Sequence, residues 1–445
     1  MVKNVSASVR GLRDELSRGR TTARQLVERY AARIVDENSR WHCYRETNFD
    51  EARRVAATFD RDASSFPHVL SGIPVGIKDV FPLSTVPARS GSAVVPRRDA
   101  AESGLSRHLR SMSTPVLGLQ TCHEFAYGPL GDVSHPMPAV NPRDPGLVPG
   151  GSSSGSAVAV ATGLAPLSFG TDTGGSIRTP AAVNALVGFM PAENSVDMSM
   201  MSHLSPSLDR VGPIAADVES AYLGWLSLTG GSASLEDLPE IEPVGQRIGV
   251  LSGPSFDDLD ATVSAGYEAF LSRLGRRRAP GTARLDATPG IDAQGTIVGA
   301  EAWRLYADLA TDENSRMGKE VAGRIRRGGE ISAEEYAHAQ QRGREFDAAL
   351  KQLLDEFDLL ICPTTPIAIP RVGQREFLRA DGTAESIYRA VTRHTSPFNV
   401  SSASALTVPY DTTSANPFSV QIVTKIGAET LAFGLAATIE RKYQK

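Results

Sequence analysis

Cysteine is nearly missing from this chain. The three residues, Cys43, Cys122 and Cys362, are an odd number with no CxxC spacing. That excludes a disulfide framework and a cysteine metal or redox site, and leaves the expectation of reduced, buried thiols in a cytoplasmic protein. The eight histidines lack metal-ligand spacing, and His123-Glu124 has no second histidine to complete H-E-x-x-H, so no metal is expected. Long apolar runs are also absent. The most apolar stretch, 157–166, falls short of the roughly 18 residues a membrane span needs, and the N-terminus lacks the apolar core of a signal peptide, so no membrane partner is expected. Basic excess is lacking too: 46 Lys and Arg stand against 51 Asp and Glu, a net charge of −5, with one short basic run, Arg276-Arg277-Arg278. A nucleic-acid surface wants clustered positive charge, so no nucleic acid is expected. No glycine loop ends in Lys-Ser/Thr or reads G-x-G-x-x-G, which argues against a nucleotide cofactor.

What is present is an ordinary globular composition, 41% hydrophobic and 22% charged over 445 residues, enough to bury a large core. Thr21 or Thr22 can cap a helix that presents Leu26, Val27, Tyr30, Ala31 and Ile34 on one face. A second amphipathic helix is expected over 49–59 and a third over 218–228. Short apolar runs at 73–77, 116–118, 167–170, 187–189, 247–251, 359–361 and 419–423 read as strands. The small apolar stretch 156–163 reads as a buried helix, 300–357 as long and helical with a break at Gly328-Gly329, and 428–439 as a last helix. Gly230-Gly231-Ser232-Ala233-Ser234 is the best composition break. Intermixed strands and helices make the class α/β.

Two Ser/Gly-rich stretches carry the chemistry: Gly150-Gly151-Ser152-Ser153-Ser154-Gly155-Ser156 and Gly170-Thr171-Asp172-Thr173-Gly174-Gly175-Ser176-Ile177-Arg178. Glycines around a serine let the chain turn sharply and let backbone N–H groups converge on an oxygen, as a nucleophile with an oxyanion site requires. Upstream, Gly72-Ile73-Pro74-Val75-Gly76-Ile77-Lys78-Asp79 puts a lysine at the end of an apolar run, where burial disfavours its ammonium form. Within the first loop, Gly151-Ser152-Ser153-Ser154-Gly155 also fits G-x-S-x-G, the nucleophile elbow that would make Ser153 the nucleophile. That motif needs a preceding strand, and Leu147-Val148-Pro149-Gly150 is short and broken by proline.

At these motifs, in this order, the chain resembles the amidase signature family. Weaker similarity runs outward through His123-Glu124-Phe125-Ala126-Tyr127-Gly128, Ser207-Leu208-Asp209-Arg210-Val211-Gly212-Pro213, Cys362-Pro363-Thr364-Thr365-Pro366 and Ser396-Pro397-Phe398-Asn399. The resemblance implies a single-domain amidase signature fold over 1–445, a large mixed twisted sheet covered by helices. N-terminal helices would occupy about 6–60, the signature core about 66–225 and a variable part about 245–445. It implies Ser176 as nucleophile, Ser152 after a cis peptide as bridging serine and Lys78 as base. It implies backbone N–H groups of Thr173, Gly174, Gly175 and Ser176 as the oxyanion hole, and an Asp172–Arg178 pair as loop support. Thr121, Cys122, His123, Glu124, Phe125 and Tyr127 would shape the substrate pocket, and the helical stretch near Trp303 and Tyr306 would close it.

Two departures from the family's strings, Gly118-Leu119-Gln120 and Gly188-Phe189-Met190-Pro191, point to a divergent pocket or scaffold. The implied activity is hydrolysis of a small-molecule carboxylic amide through an acyl-enzyme, without metal or organic cofactor, in a homodimer. The glutaminase component of a tRNA-dependent amidotransferase and an acyl transferase are alternatives with the same chemistry. A non-enzymatic scaffold is a third reading, opposed by the retention of all three catalytic residues.

Overall fold

The computed structural model describes residues 7–94, 102–193, 195–229, 245–275, 280–379, 382–413 and 416–443. The expected break at 230–234 and the basic run Arg276-Arg277-Arg278 lie outside them. Among the described residues the strands are β1 Tyr44–Thr47, β2 Val75–Lys78, β3 Val116–Gln120, β4 Leu167–Asp172, β5 Val187–Met190, β6 Arg210–Ala215 and β7 Ile248–Ser252. They continue with β8 Gly281–Arg284, β9 Leu359–Pro363, β10 Glu376–Leu378, β11 Ala384–Ser386, β12 Ser404–Asp411 and β13 Phe418–Thr424.

Eleven of these form one mixed sheet in the order β1-β3-β2-β4-β6-β5-β12-β13-β9-β7-β8, and β10 pairs with β11 separately. In the large sheet β2 runs parallel to both β3 and β4, and β7 parallel to both β8 and β9; the other pairings are antiparallel. Parallel neighbours need both faces covered, and β2, β3 and β4 are buried at every position. β5 pairs with β12, so strands from before and after residue 230 share one sheet.

Helices cover the sheet for identifiable reasons. Ala23–Trp41 starts at Thr22 with a capping box completed by Gln25, and buries the Leu26, Val27, Tyr30 and Ile34 face. Ser154–Ala161 is made of small residues and is buried all round, which lets it sit close against the sheet. Glu429–Thr438 is buried from Ala432 onward, with Phe433 stacked on Trp225 at 5.9 Å and against Phe189 at 4.8 Å.

The long helical stretch differs from its expectation. It consists of Thr288–Thr311, Lys319–Gly328 and Ala333–Glu356, beginning before residue 300 and broken twice. Pro289 sits in the first turn, where its missing N–H costs nothing, but Gly290, Gly295 and Gly299 dilute the apolar periodicity there. The additional break follows Asp312, whose side chain accepts from Asn314 N at 2.9 Å and turns the chain.

Candidate active site

Because β2 and β4 are parallel neighbours, their C-terminal ends lie at the same edge of the sheet. β2 ends on Lys78 and β4 on Thr171 and Asp172. The loop before the helix Ser154–Ala161 brings Ser152 to the same place. Lys78 Nζ donates to Ser152 Oγ at 2.7 Å and to Thr171 Oγ1 at 2.6 Å, and the Gly151–Ser152 peptide is cis. Lys78 is fully buried. That desolvation dominates over the distant carboxylates and brings its pKa down to about 8.

The two serine loops are stitched together by Ser153 N–H donating to Ser176 O at 3.2 Å. Lys78 and Ser152 are wholly enclosed. Ser176 is 8% exposed, and of the three it is the one that faces a cavity of about 640 Å³.

The Ser176 loop is held by a buried ion pair. Arg178 donates to both oxygens of Asp172, Nη2 to Oδ1 at 2.8 Å and Nε to Oδ2 at 3.0 Å. Burial alone would raise the Asp172 pKa, but Arg178 and the bonds from Asn399 and the Ile177 backbone hold it at about 2. Arg178 also reaches Thr395 O, Gln421 Oε1 and Asn399 Oδ1, all at 2.7 to 2.9 Å, so every direction of its fork is met.

Gly175 differs from the oxyanion expectation. Its N–H donates to Asp172 Oδ1 at 2.8 Å, which leaves Thr173, Gly174 and Ser176 as N–H groups without an acceptor among the described residues. The carbonyls on the other side of this turn are tied down. Gln294 Nε2 donates to Thr173 O and Thr395 Oγ1 to Gly174 O, each at 2.9 Å. A planar peptide held by its C=O has its N–H fixed as well.

The expected pocket residues divide. Tyr127 lines the cavity, whereas Thr121, Cys122, His123 and Phe125 do not. All four are buried, and Thr121 and His123 brace the serine loop. Thr121 O accepts from Gly155 N at 2.7 Å, and His123 N donates to Ser152 O at 3.0 Å. Burial pushes the Cys122 thiol up to about 12 and the His123 imidazole well below its usual value, which keeps both uncharged. Phe125 packs edge-on against Tyr306 at 4.7 Å, in the core. Glu124 accepts from Ser92 Oγ at 2.7 Å and from Gly318 N at 3.0 Å, anchoring the start of the helix Lys319–Gly328.

Trp303 and Tyr306 do not line the cavity either. The same helix contributes Ile291, Gln294, Gly295 and Val298, which lie on another of its faces. The elbow motif at Ser153, set aside on sequence for want of a preceding strand, lacks that strand in the structure too. Leu147 makes only an isolated bridge, and Ser153 Oγ points away to Thr171 O at 3.2 Å.

Sequence reasoning gave no role to Thr171, Gln294, Thr395, Asn399 or Asp209, whose carboxylate takes the Thr173 hydroxyl. The strings containing Asp209 and Asn399 carried a signal as weak family similarity; Gln294 and Thr395 carried none. Among the described residues no group of three His, Cys, Asp or Glu side chains could hold a metal, and no helix is long and apolar enough to cross a membrane.

The chain is similar to known proteins along most of its length. It is 28% identical over 438 residues to 2-amino-5-chloromuconic acid deaminase of Comamonas testosteroni, covering 96% of this chain and 94% of that one. It is 30% identical over 426 residues to a component of the glutamyl-tRNA(Gln) amidotransferase of Thermobifida fusca (strain YX), covering 84% of each. A crystal structure of an amidase matches with a TM-score of 0.89 at 26% identity, covering 98% of this chain and 100% of that one. With an Amidase family model matching residues 25–432, on top of the three motifs and the sheet that brings them together, the chain belongs to the amidase signature family.

Proposed function

We propose that this amidase, an enzyme acting on C–N bonds, cleaves a small-molecule carboxylic amide through an acyl-enzyme on Ser176, with Ser152 and Lys78 as proton relay and base. The observation that carries the reading is the 2.7 Å contact between a fully buried Lys78 and Ser152, beside a serine that alone of the three faces the cavity. A serine hydroxyl attacks only when a neighbour accepts its proton. In the neutral form Lys78 takes the proton of Ser152 as Ser152 takes that of Ser176. Ser176 Oγ then bonds to the amide carbon. The oxyanion that forms is met by the N–H groups of Thr173, Gly174 and Ser176; Gln294, through Thr173 O, fixes that of Gly174, and Thr179 N–H, through Gly175 O at 2.7 Å, fixes that of Ser176. The proton returns through Ser152 to the amide nitrogen, the C–N bond breaks and the amine leaves. Water repeats the sequence to release the acid.

The test is intact mass after exposure to a serine-reactive fluorophosphonate. A single adduct on wild type, absent from Ser176→Ala and slowed in Lys78→Ala, is the expected result. An adduct that persists in Ser176→Ala would overturn the assignment.

Similarity to an amidotransferase component supports a second reading, in which the acyl group or the released ammonia passes to an acceptor. Added hydroxylamine separates acyl transfer from hydrolysis, while the ammonia-passing case, which also releases free acid, is separated by co-purification of partner subunits. A hydroxamate formed in preference to free acid favours transfer, and free acid alone favours hydrolysis.

A further inference from the structure

The cavity that Ser176 faces is walled by more cations than anions. Lys319, Arg324, Arg327, Arg375 and Arg389 line it, against one carboxylate, Glu320. Two of the five are already matched. Arg375 pairs with Asp132 at 2.8 Å and with Glu320 at 3.1 Å, and Arg389 pairs with Asp292 at 2.8 Å. Glu320 also takes the hydroxyl of Tyr388. Lys319, Arg324 and Arg327 have no carboxylate partner among the described residues.

Arg324 is not a loose surface arginine. Its guanidinium lies over the Tyr127 ring, 4.0 Å from the centroid, and over the Tyr388 ring at 4.4 Å, and it donates to Tyr127 O. Ring faces hold a guanidinium by its π-surface and consume none of its edge donors. One carbonyl uses one of five N–H groups. What results is a fixed, planar, charged fork beside the nucleophile's cavity, with no acid of its own. That is the geometry that accepts a carboxylate through two parallel hydrogen bonds. Arg327 stands three residues on along the helix Lys319–Gly328, a neighbour on the same face.

We infer that the preferred substrate of this enzyme is an amide that also bears a free carboxylate, bound by Arg324 with Arg327 beside it. The inference rests on Ser176 being the group that takes the acyl chain in the same cavity. Tyr127 and Tyr388 are positioning residues that keep the fork in place.

The test compares succinamic, glutaramic and adipamic acid with butyramide, valeramide and hexanamide, as kcat/KM for wild type, Arg324→Gln and Arg324→Lys. Wild type is expected to prefer the acids by at least about tenfold, mainly through KM. Arg324→Gln brings the acid-to-neutral ratio down towards one, and Arg324→Lys restores part of it. A general structural defect would lower both series and leave the ratio standing. A ratio that survives in Arg324→Gln, or a wild type that prefers the neutral amides, overturns the inference.

Calorimetric binding of succinate, glutarate and adipate to Ser176→Ala separates this from the mechanism. Dicarboxylate binding with no fluorophosphonate adduct on wild-type Ser176 sinks the acyl-serine reading and keeps the carboxylate site. An adduct without dicarboxylate binding or acid preference does the reverse.

Discussion

Lys78 can take a proton only while its amine is neutral. Burial lowers its pKa from 10.5 to about 8, so the neutral fraction is small at pH 7 and grows as pH rises. We therefore expect kcat/KM to climb about tenfold per pH unit below pH 8 and to level off above it. A profile flat from pH 6 to 9 would remove Lys78 from the base role. Thr171 stabilises the ammonium by accepting from it, so Thr171→Val is expected to penalise the charged form and move the acidic limb about one unit lower. A limb that stays put, or moves up, contradicts that account.

Arg178 calls for a different measurement. Replacing it by Met leaves the Asp172 carboxylate buried without its counter-charge, a loss of about 3–5 kcal/mol in urea unfolding. The native Asp172 pKa is depressed from 3.8 to about 2, so its stabilisation is complete above pH 3.8 and disappears as pH falls through 2. The wild-type advantage over Arg178→Met should shrink over that window.

At the level of elements, the turn from β4 into the Ser176 loop shows why this stretch is so rich in glycine. Gly175 has φ of +118°, and a Cβ there would lie 2.2 Å from Thr395 Oγ1. Gly175→Ala is expected to displace the N–H groups on either side and cost about 10²-fold in kcat with the fold retained, which circular dichroism would check. The sequence made this loop, the Lys78 strand and the buried helix behind Ser152 legible, because each has a strong local signature.

Other elements lack one. β6 carries Gly212 and Pro213, which read as turn residues although the strand is buried throughout and pairs on both sides. β12 contains Pro409, which sits where the register with β13 shifts, so its missing N–H is tolerated there. The cavity wall was hidden for a different reason. Arg324 lies on a charged helix far along the chain from Tyr127. A charged helix in isolation reads as solvated, and only the folded chain puts the two side by side.

Across the whole molecule, the Ser176 loop depends on the later half of the chain. β12 and β13 extend the sheet from β5, and Thr395, Asn399 and Gln421 complete the shell of Arg178. A fragment of residues 1–225 would keep Lys78, Ser152 and Ser176 but leave β5 as an open edge and Arg178 short of partners. It is expected to give no fluorophosphonate adduct and a collapsed, poorly cooperative urea transition. A fragment that labels at the wild-type rate would show that the motifs suffice.

The same dependence has a consequence during synthesis. Arg178 leaves the ribosome 217 residues ahead of Thr395, 221 ahead of Asn399 and 243 ahead of Gln421. For most of the time after Ser176 is made, then, the nascent polypeptide carries Lys78, Ser152 and Ser176 without the contacts that complete the shell of Arg178. On the proposed mechanism, Ser176 is therefore expected to gain its reactivity only once the last of these contacts has formed, and so to stay silent while its own chain is still being made.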